Sequence, residues 1–228
     1  MHNHVFRDRQ DAGRALATAL AGFAKRADVL VLALPRGGVP VGYEVARALQ
    51  VPLDVFIVRK LGVPGHEEYA MGAIAAGGLR VLNESVVRML DIRESDIEAI
   101  VDAEQRELER RERLYRNGRP PPDVRGHSVI LVDDGLATGS TMLAAVRALR
   151  TLTPARTIVA VPTAAAETCN ELRHEADEVV CLSTPEPFRA VGLWYADFSQ
   201  TSDDEVRDLL QRARTAAATP GTDRWEAP

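Results

Sequence analysis

Unbroken apolar runs that close on glycines or acids constrain this chain more than any other feature. Residues 29–34 read Val-Leu-Val-Leu-Ala-Leu and end at Pro35-Arg36-Gly37-Gly38, while residues 129–132 read Val-Ile-Leu-Val and end at Asp133-Asp134-Gly135. A half-exposed strand alternates apolar with polar residues. A run that is apolar at every position is buried on both faces, as in the interior of a parallel sheet. Residues 53–58, 157–161 and 179–182 add three further candidate strands. Helical spacing fills the intervals. Ala12, Ala15, Leu16, Ala19, Leu20 and Phe23 define an amphipathic helix within residues 8–25, and helices are expected at 41–49, 139–152 and 164–174. Strands alternating with helices predict an α/β fold with a doubly wound, mainly parallel sheet.

Two stretches depart from this alternation. Residues 62–78 are rich in Gly and Ala with charges interspersed, and are expected to form a mobile loop before a short strand or hairpin near 79–82. Residues 84–116 read as a charged helical insertion, ended by Gly118 and the prolines at 120–122. Ser95 and Glu98 there have capping-box spacing, and Asp102 with Arg106, Glu107 with Arg111 and Glu109 with Arg113 stand at i,i+4. Its apolar stripe is thin, so the expectation is a solvated helix at the domain's edge without chemistry. Ser202 and Glu205 cap a last helix running to about Arg214, followed by a frayed tail over 215–228. The expected organisation is one domain over 1–214. Its core covers about 26–83 and 124–183, with an insertion over about 84–118 and a small late lobe, or hood, over about 184–200.

Composition narrows the function classes. A hydrophobic fraction of 46% and a charged fraction of 27% are those of a soluble globular protein. The net charge is −5, with Lys and Arg scattered, which argues against DNA as a partner. No stretch approaches the length of a membrane span and the start has no apolar signal core, so a cytoplasmic protein without membrane attachment is expected. Cys169 and Cys181 make no Cys-x-x-Cys pattern and are expected to be buried reduced thiols.

The residues after the second apolar run carry the chemistry. Asp133 and Asp134 are followed by Gly135-Leu136-Ala137-Thr138-Gly139-Ser140-Thr141-Met142, a small-residue turn opening a helix. Such a turn lets backbone N–H groups approach an anion at the positive end of the helix dipole, and Thr138, Ser140 and Thr141 add hydroxyls. Two carboxylates directly before a phosphate site can hold sugar hydroxyls or a magnesium ion. A phosphorylated sugar needs both halves. An ordinary strand-to-helix turn with N-capping acids would share parts of this pattern, but composition, order and spacing agree on more than that.

This stretch resembles the signature of the type I phosphoribosyltransferases, and its form is especially similar to the adenine branch. The resemblance implies that fold, with Mg2+ as cofactor and with phosphoribosyl pyrophosphate and a nitrogenous base or amine as partners in a homodimeric enzyme. Asp133, Asp134, Arg59 and Lys60 would be catalytic, and the two acids would hold the metal. Ala137, Thr138, Gly139, Ser140 and Thr141 would bind the 5′-phosphate. Arg36, Gly37 and Gly38 resemble the family's pyrophosphate loop, which often has a strained peptide bond. Arg59 and Lys60, before Pro64-Gly65, resemble the basic pair leading into the loop that closes over the substrates. Phe188, Trp194, Tyr195 and Phe198 crowd into residues 185–198. Phe188 and Trp194, with Asp197, are the candidates for binding a base, although an aromatic cluster is more often core. Residues 191–198 resemble a run in bacterial phosphoribosyltransferase-like proteins, as does the N-terminal pattern Phe6-Arg7-Asp8-Arg9 with Ala12-Gly13.

One departure matters. Hypoxanthine–guanine enzymes carry an aspartate where Ala137 stands, so a general acid would have to come from elsewhere, with Glu67, Glu68 and Asp197 as candidates. His66 shares the predicted loop with Glu67 and Glu68. The residues also leave open a non-catalytic module that senses a nucleotide or phosphoribosyl pyrophosphate on the same fold, and a hydrolase or phosphorylase of a related sugar phosphate.

Overall fold

The computed structural model describes residues 5–76 and 78–218, apart from the side chains of residues 67, 68, 217 and 218. Five strands form the central sheet: β1 (Val29–Ala33), β2 (Leu53–Val55), β6 (Ser128–Val132), β7 (Arg156–Thr163) and β8 (Glu178–Ser183). All pair in parallel, in the order β2-β1-β6-β7-β8. The chain therefore builds outward from β1 to one side and from β6 to the other, which places a topological switch between β1 and β6.

The strands are apolar throughout because both faces are covered. Val29, Val31, Ala33, Ile130, Val132, Ile158 and Ala160 point into one cluster with α1 (Arg9–Ala19), α2 (Gly38–Leu49) and α7 (Asp203–Ala218). Leu30, Leu32, Leu34, Val129, Leu131, Val159 and Val161 point into another with α5 (Ser140–Thr151) and α6 (Ala166–Leu172). The doubly wound α/β sheet expected from the sequence is thus present. A short 3-10 turn, Ala21–Phe23, continues α1, so the predicted helix covers both elements. Cys169 on α6 and Cys181 on β8 are joined as a disulfide, which corrects the expectation of reduced thiols.

The Gly/Ala-rich segment is the largest correction. Its described residues are mostly strand: β3 (Val58–Val63) and β4 (His66–Ala75) form a hairpin and, with β5 (Leu79–Leu82) where a short strand was expected, make a separate antiparallel sheet. Gly65 turns the first hairpin with φ of +74°. Leu61, Met71 and Ile74 are buried beneath it, so the sheet has its own apolar face. Residues 53–58, expected as one strand, divide between β2 and β3.

The charged insertion becomes α3 (Glu84–Met89) and α4 (Glu94–Arg116). Arg93 stands at the N-cap of α4 and Ser95 lies inside its first turn, so the predicted capping box does not form. Glu107–Arg111 and Glu109–Arg113 do pair, at 2.7 and 3.7 Å. The thin stripe of Ile97, Leu108 and Tyr115 is fully used, since α4 packs on β3, β4 and α7 and is not merely a solvated edge. Ser202 Oγ accepts from the Glu205 amide at 3.1 Å, as the sequence predicts, and α7 then runs past Arg214 to Ala218. The remainder of the predicted tail lies outside the described residues. Among the described residues no helix is long and apolar enough to cross a membrane.

Arg116 locks α4 to the main sheet. Its side chain is 2% exposed, and it donates to the Val55 carbonyl at 2.6 Å while lying 3.4 Å from Asp54 and 3.3 Å from Glu112. Arg116→Met removes all three partners, but the two carboxylates keep partial access to water. Urea denaturation is expected to show a loss of about 2 kcal/mol. An unchanged midpoint would mean that apolar packing alone holds the insertion in place.

Candidate functional site

Register brings two loops to one point on the carboxyl edge of the sheet. Ala33 of β1 pairs with Val132 of β6, and the Leu34 amide bonds the Val132 carbonyl at 2.9 Å. Residues 35–38 and the acids 133–134 consequently emerge side by side. The contact is closer than side chains would allow. A Cβ on Gly38 would lie 2.7 Å from the Val132 oxygen, and one on Gly37 would collide with the Asp134 carboxylate. Both glycines are needed for this approach, and the Pro35–Arg36 peptide before them is cis.

The acids form a tight pair. The Asp134 amide donates to Asp133 Oδ1 at 2.9 Å. Burial, and then the charge of Asp134, lift the Asp133 carboxyl well above the usual range. Burial also raises Asp134, against the opposing pull of Arg9, whose Nε donates to Asp134 Oδ2 at 2.7 Å. Tyr195 donates its hydroxyl to the Asp134 carbonyl at 2.5 Å. Sequence reasoning assigned no role to Arg9 or Tyr195, although both stand in runs it had singled out.

The turn after the acids has the geometry of an anion cradle. Gly139 adopts φ of +66° at the start of α5 and no side chain caps that helix. Amides of a first helical turn have no intrahelical acceptor, so here they remain directed at whatever occupies the turn. A cavity of about 150 Å³ lies there, lined by Asp133 and by the loop from Gly135 to Met142. Thr138 Oγ1 and Ser140 Oγ stand 3.4 Å apart. Thr168 of α6 shapes the loop from behind: its hydroxyl donates to the Ala137 carbonyl at 2.6 Å, and its methyl occupies the space a Cβ on Gly139 would take. Nothing in the local pattern around Thr168 signals this contact.

The basic residues flank the acids and the turn. Arg36 Nη1 lies 3.9 Å from Asp203 Oδ1, and that carboxylate accepts from the Tyr115 hydroxyl at 2.5 Å. Arg59 Nε donates to Glu104 of α4 at 2.5 Å. Arg59 and Lys60 share a cavity of about 830 Å³ with Pro35, Thr141, Glu104 and Arg111. The insertion helix therefore contributes a wall and charged groups beside the candidate site.

In the hood, Phe188 and Trp194 stack at 6.2 Å with their planes 23° apart. Trp194 is buried, and its Nε1 has no hydrogen-bond partner among the described residues. Asp197 accepts from the Ser199 amide at 2.9 Å, a bond that lowers its carboxyl below the usual range. His66 lies at the start of β4, whereas the Glu67 and Glu68 side chains fall outside the described residues.

The acid pair also fits a magnesium ion. Hard carboxylate oxygens suit it, and the buried like charges lack full compensation from Arg9. Among the described residues no group of three or more His, Cys, Asp or Glu side chains could hold a metal, so a cation here would take further ligands from substrate and water. Magnesium is commonly held in that way.

The family model of the phosphoribosyl transferase domain matches residues 8–196. Two proteins of Mycobacterium tuberculosis, MT0597 and Rv0571c, both named after this family, are each 47% identical over 217 residues, covering 95% of this chain. The chain spans about half the length of these relatives, 49% in each case. The crystal structure of TT1426 from Thermus thermophilus is similar with a TM-score of 0.84 and 43% identity, over 91% of this chain and 98% of that one. AQ2163 from Aquifex aeolicus, at 11% identity and a TM-score of 0.50, shares the fold over 89% of this chain and 84% of its own.

Burial of Asp133 carries a stability cost with a defined pH dependence. A carboxyl whose folded pKa is raised favours the folded state most when protonated. Stability is therefore lost as pH rises from the unfolded value of 3.8 towards the folded one. Asp133→Asn removes this cost. Thermal denaturation is expected to show the variant melting above the wild type at neutral pH, with the gap closing as pH falls to about 4. A pH-independent gap would assign the effect to packing instead.

Proposed function

The chain belongs to the phosphoribosyl transferase family, and on that footing we propose that it moves a phosphoribosyl group from phosphoribosyl pyrophosphate to a nitrogenous base or amine. The observation carrying this reading is the adjacency of the acid pair, the anion cradle and the glycine loop at the switch between β1 and β6. A phosphorylated sugar bearing a second phosphorylated group needs these three features within one molecule's length.

In this reading the 5′-phosphate sits in the turn from Ala137 to Thr141, where first-turn amides and the hydroxyls of Thr138, Ser140 and Thr141 bind it. Asp133 and Asp134 accept hydrogen bonds from the ribose hydroxyls and fix the ring. The pyrophosphate lies along Arg36, Gly37 and Gly38, with Arg59 and Lys60 offsetting its charge. A magnesium ion held by Asp133 and Asp134 would supply charge neutralisation for the sugar hydroxyls and the leaving group. The nucleophilic nitrogen forms a bond to C1′ as the C1′–oxygen bond breaks, and that electron pair leaves with pyrophosphate. Positioning and charge stabilisation supply the rate, because the leaving group is already good. The acceptor is assigned to the hood, where Phe188, Trp194 and Asp197 lie.

Calorimetric titration of phosphoribosyl pyrophosphate with Mg2+, followed by a pyrophosphate-release screen across purine and pyrimidine bases, tests the proposal. Magnesium-dependent binding with release for one base is expected. The double variant Asp133→Asn, Asp134→Asn should lose turnover by at least about a thousandfold while keeping its far-ultraviolet spectrum. Turnover retained in that variant, or no binding by the wild type, would overturn the assignment. Binding without release would instead be the behaviour of a sensing module.

A further inference from the structure

Arg9 is one of the most heavily engaged cations in the molecule, and the reaction as described gives it no task. It opens α1 immediately after Asp8, whose side chain caps that helix by accepting from the Asp11 amide at 2.7 Å. The Arg9 backbone is thus fixed by a rigid element. Its side chain is only 11% exposed. Nε donates to Asp134 Oδ2 at 2.7 Å, Nη1 donates to the Ser199 carbonyl at 2.7 Å, and the guanidinium lies 3.9 Å from the centroid of Phe198. A Cβ on Gly37 would stand 3.3 Å from the same Nε, so the group also abuts the glycine loop. Two backbone pairings strap this end of the chain to the hood: the Phe6 amide bonds the Trp194 carbonyl at 2.9 Å and the Asp197 amide bonds the Arg7 carbonyl at 2.8 Å.

We propose that Arg9 is a built-in cation of the acid pair and the strut that joins it to the hood, a positioning residue that commits Asp134 to an internal partner and leaves Asp133 as the principal carboxylate for an external cation. The proposal rests on the reading that the acid pair holds a metal. Without Arg9, two adjacent carboxylates would share a partly dry site with no guanidinium against them. Their combined charge would then attract a divalent ion more strongly than in the wild type. Arginine suits the strut because one planar fork can bond a carboxylate and a carbonyl while its face lies on a ring. A lysine supplies the charge but not this geometry.

Mn2+ alone is the probe, followed by loss of the free-ion electron paramagnetic resonance signal, because Mn2+ accepts the same oxygen ligands. Arg9→Met is expected to bind Mn2+ at least about fivefold more tightly than the wild type, from one charge removed at hydrogen-bonding distance. Arg9→Lys should remain within about twofold of the wild type, since the charge is kept. Adding Asp133→Asn to Arg9→Met should abolish the gain. Circular dichroism would verify that each variant folds, and Arg9→Lys keeps the test open if the methionine variant does not. Unchanged or weaker Mn2+ binding in Arg9→Met, or an equal gain in Arg9→Lys, would overturn the proposal. If wild-type binding were still sensitive to Asp133→Asn in that case, the metal reading itself would stand. No Mn2+ binding by any form would overturn both.

Discussion

The pairing of β1 with β6 carries the rest of this structure. These two strands diverge in chain direction of growth, one towards β2 and the other towards β7 and β8, so the space beyond their ends is not bridged by a crossover. Their register decides what meets there. With Ala33 opposite Val132, the next residues along each strand lead into the glycine loop and the acids. A slip of one residue would exchange the two faces of β6, sending Val129 and Leu131 where Ile130 and Val132 belong. A slip of two would move Asp134 by about 7 Å and part it from Gly37. The double-sided apolar core therefore does more than stabilise the sheet: it fixes the geometry of the site to within one hydrogen-bond step.

Around this point the molecule gathers groups that do not favour folding. Two acids share a partly dry corner, glycines replace residues that would be less costly to order, and a helix starts without a cap. Each departure is held by a contact from elsewhere: Arg9 and Tyr195 on Asp134, and Thr168 on Ala137. Such local conflicts, supported from outside, are what a binding site looks like in energetic terms.

The main sheet and the acid-and-turn motif were legible in the sequence because both are local. Apolar runs, glycines and hydroxyls within about a dozen consecutive residues specify them. Of the β3–β5 sheet only β5, at the expected 79–82, was legible; the β3–β4 hairpin was not, since Gly62, Gly72 and the alanines between them read as loop composition. Pairing with residues further along the chain, such as Gly72 with Leu82, is what turns them into strand. The wall contributed by α4 was missed for a related reason: its buried stripe is short, and the partner of Glu104 lies 45 residues earlier. The side chains that brace the acids are further still, with Arg9 separated from Asp134 by 125 positions. A pattern in one sequence marks such residues as unusual without saying what they touch.

The carboxylate of Asp203 is shared between different parts of the chain. Tyr115 comes to it from the end of α4, and Arg36 from the loop after β1. Three segments separated by scores of residues thus meet at one acceptor, and the strength of either contact depends on the other. Contributions within such a triad do not add. A replacement at Tyr115, remote from the acids, changes what Arg36 contributes, and the reverse holds equally. Which residues can be tolerated at any one of these three positions therefore depends on what stands at the other two.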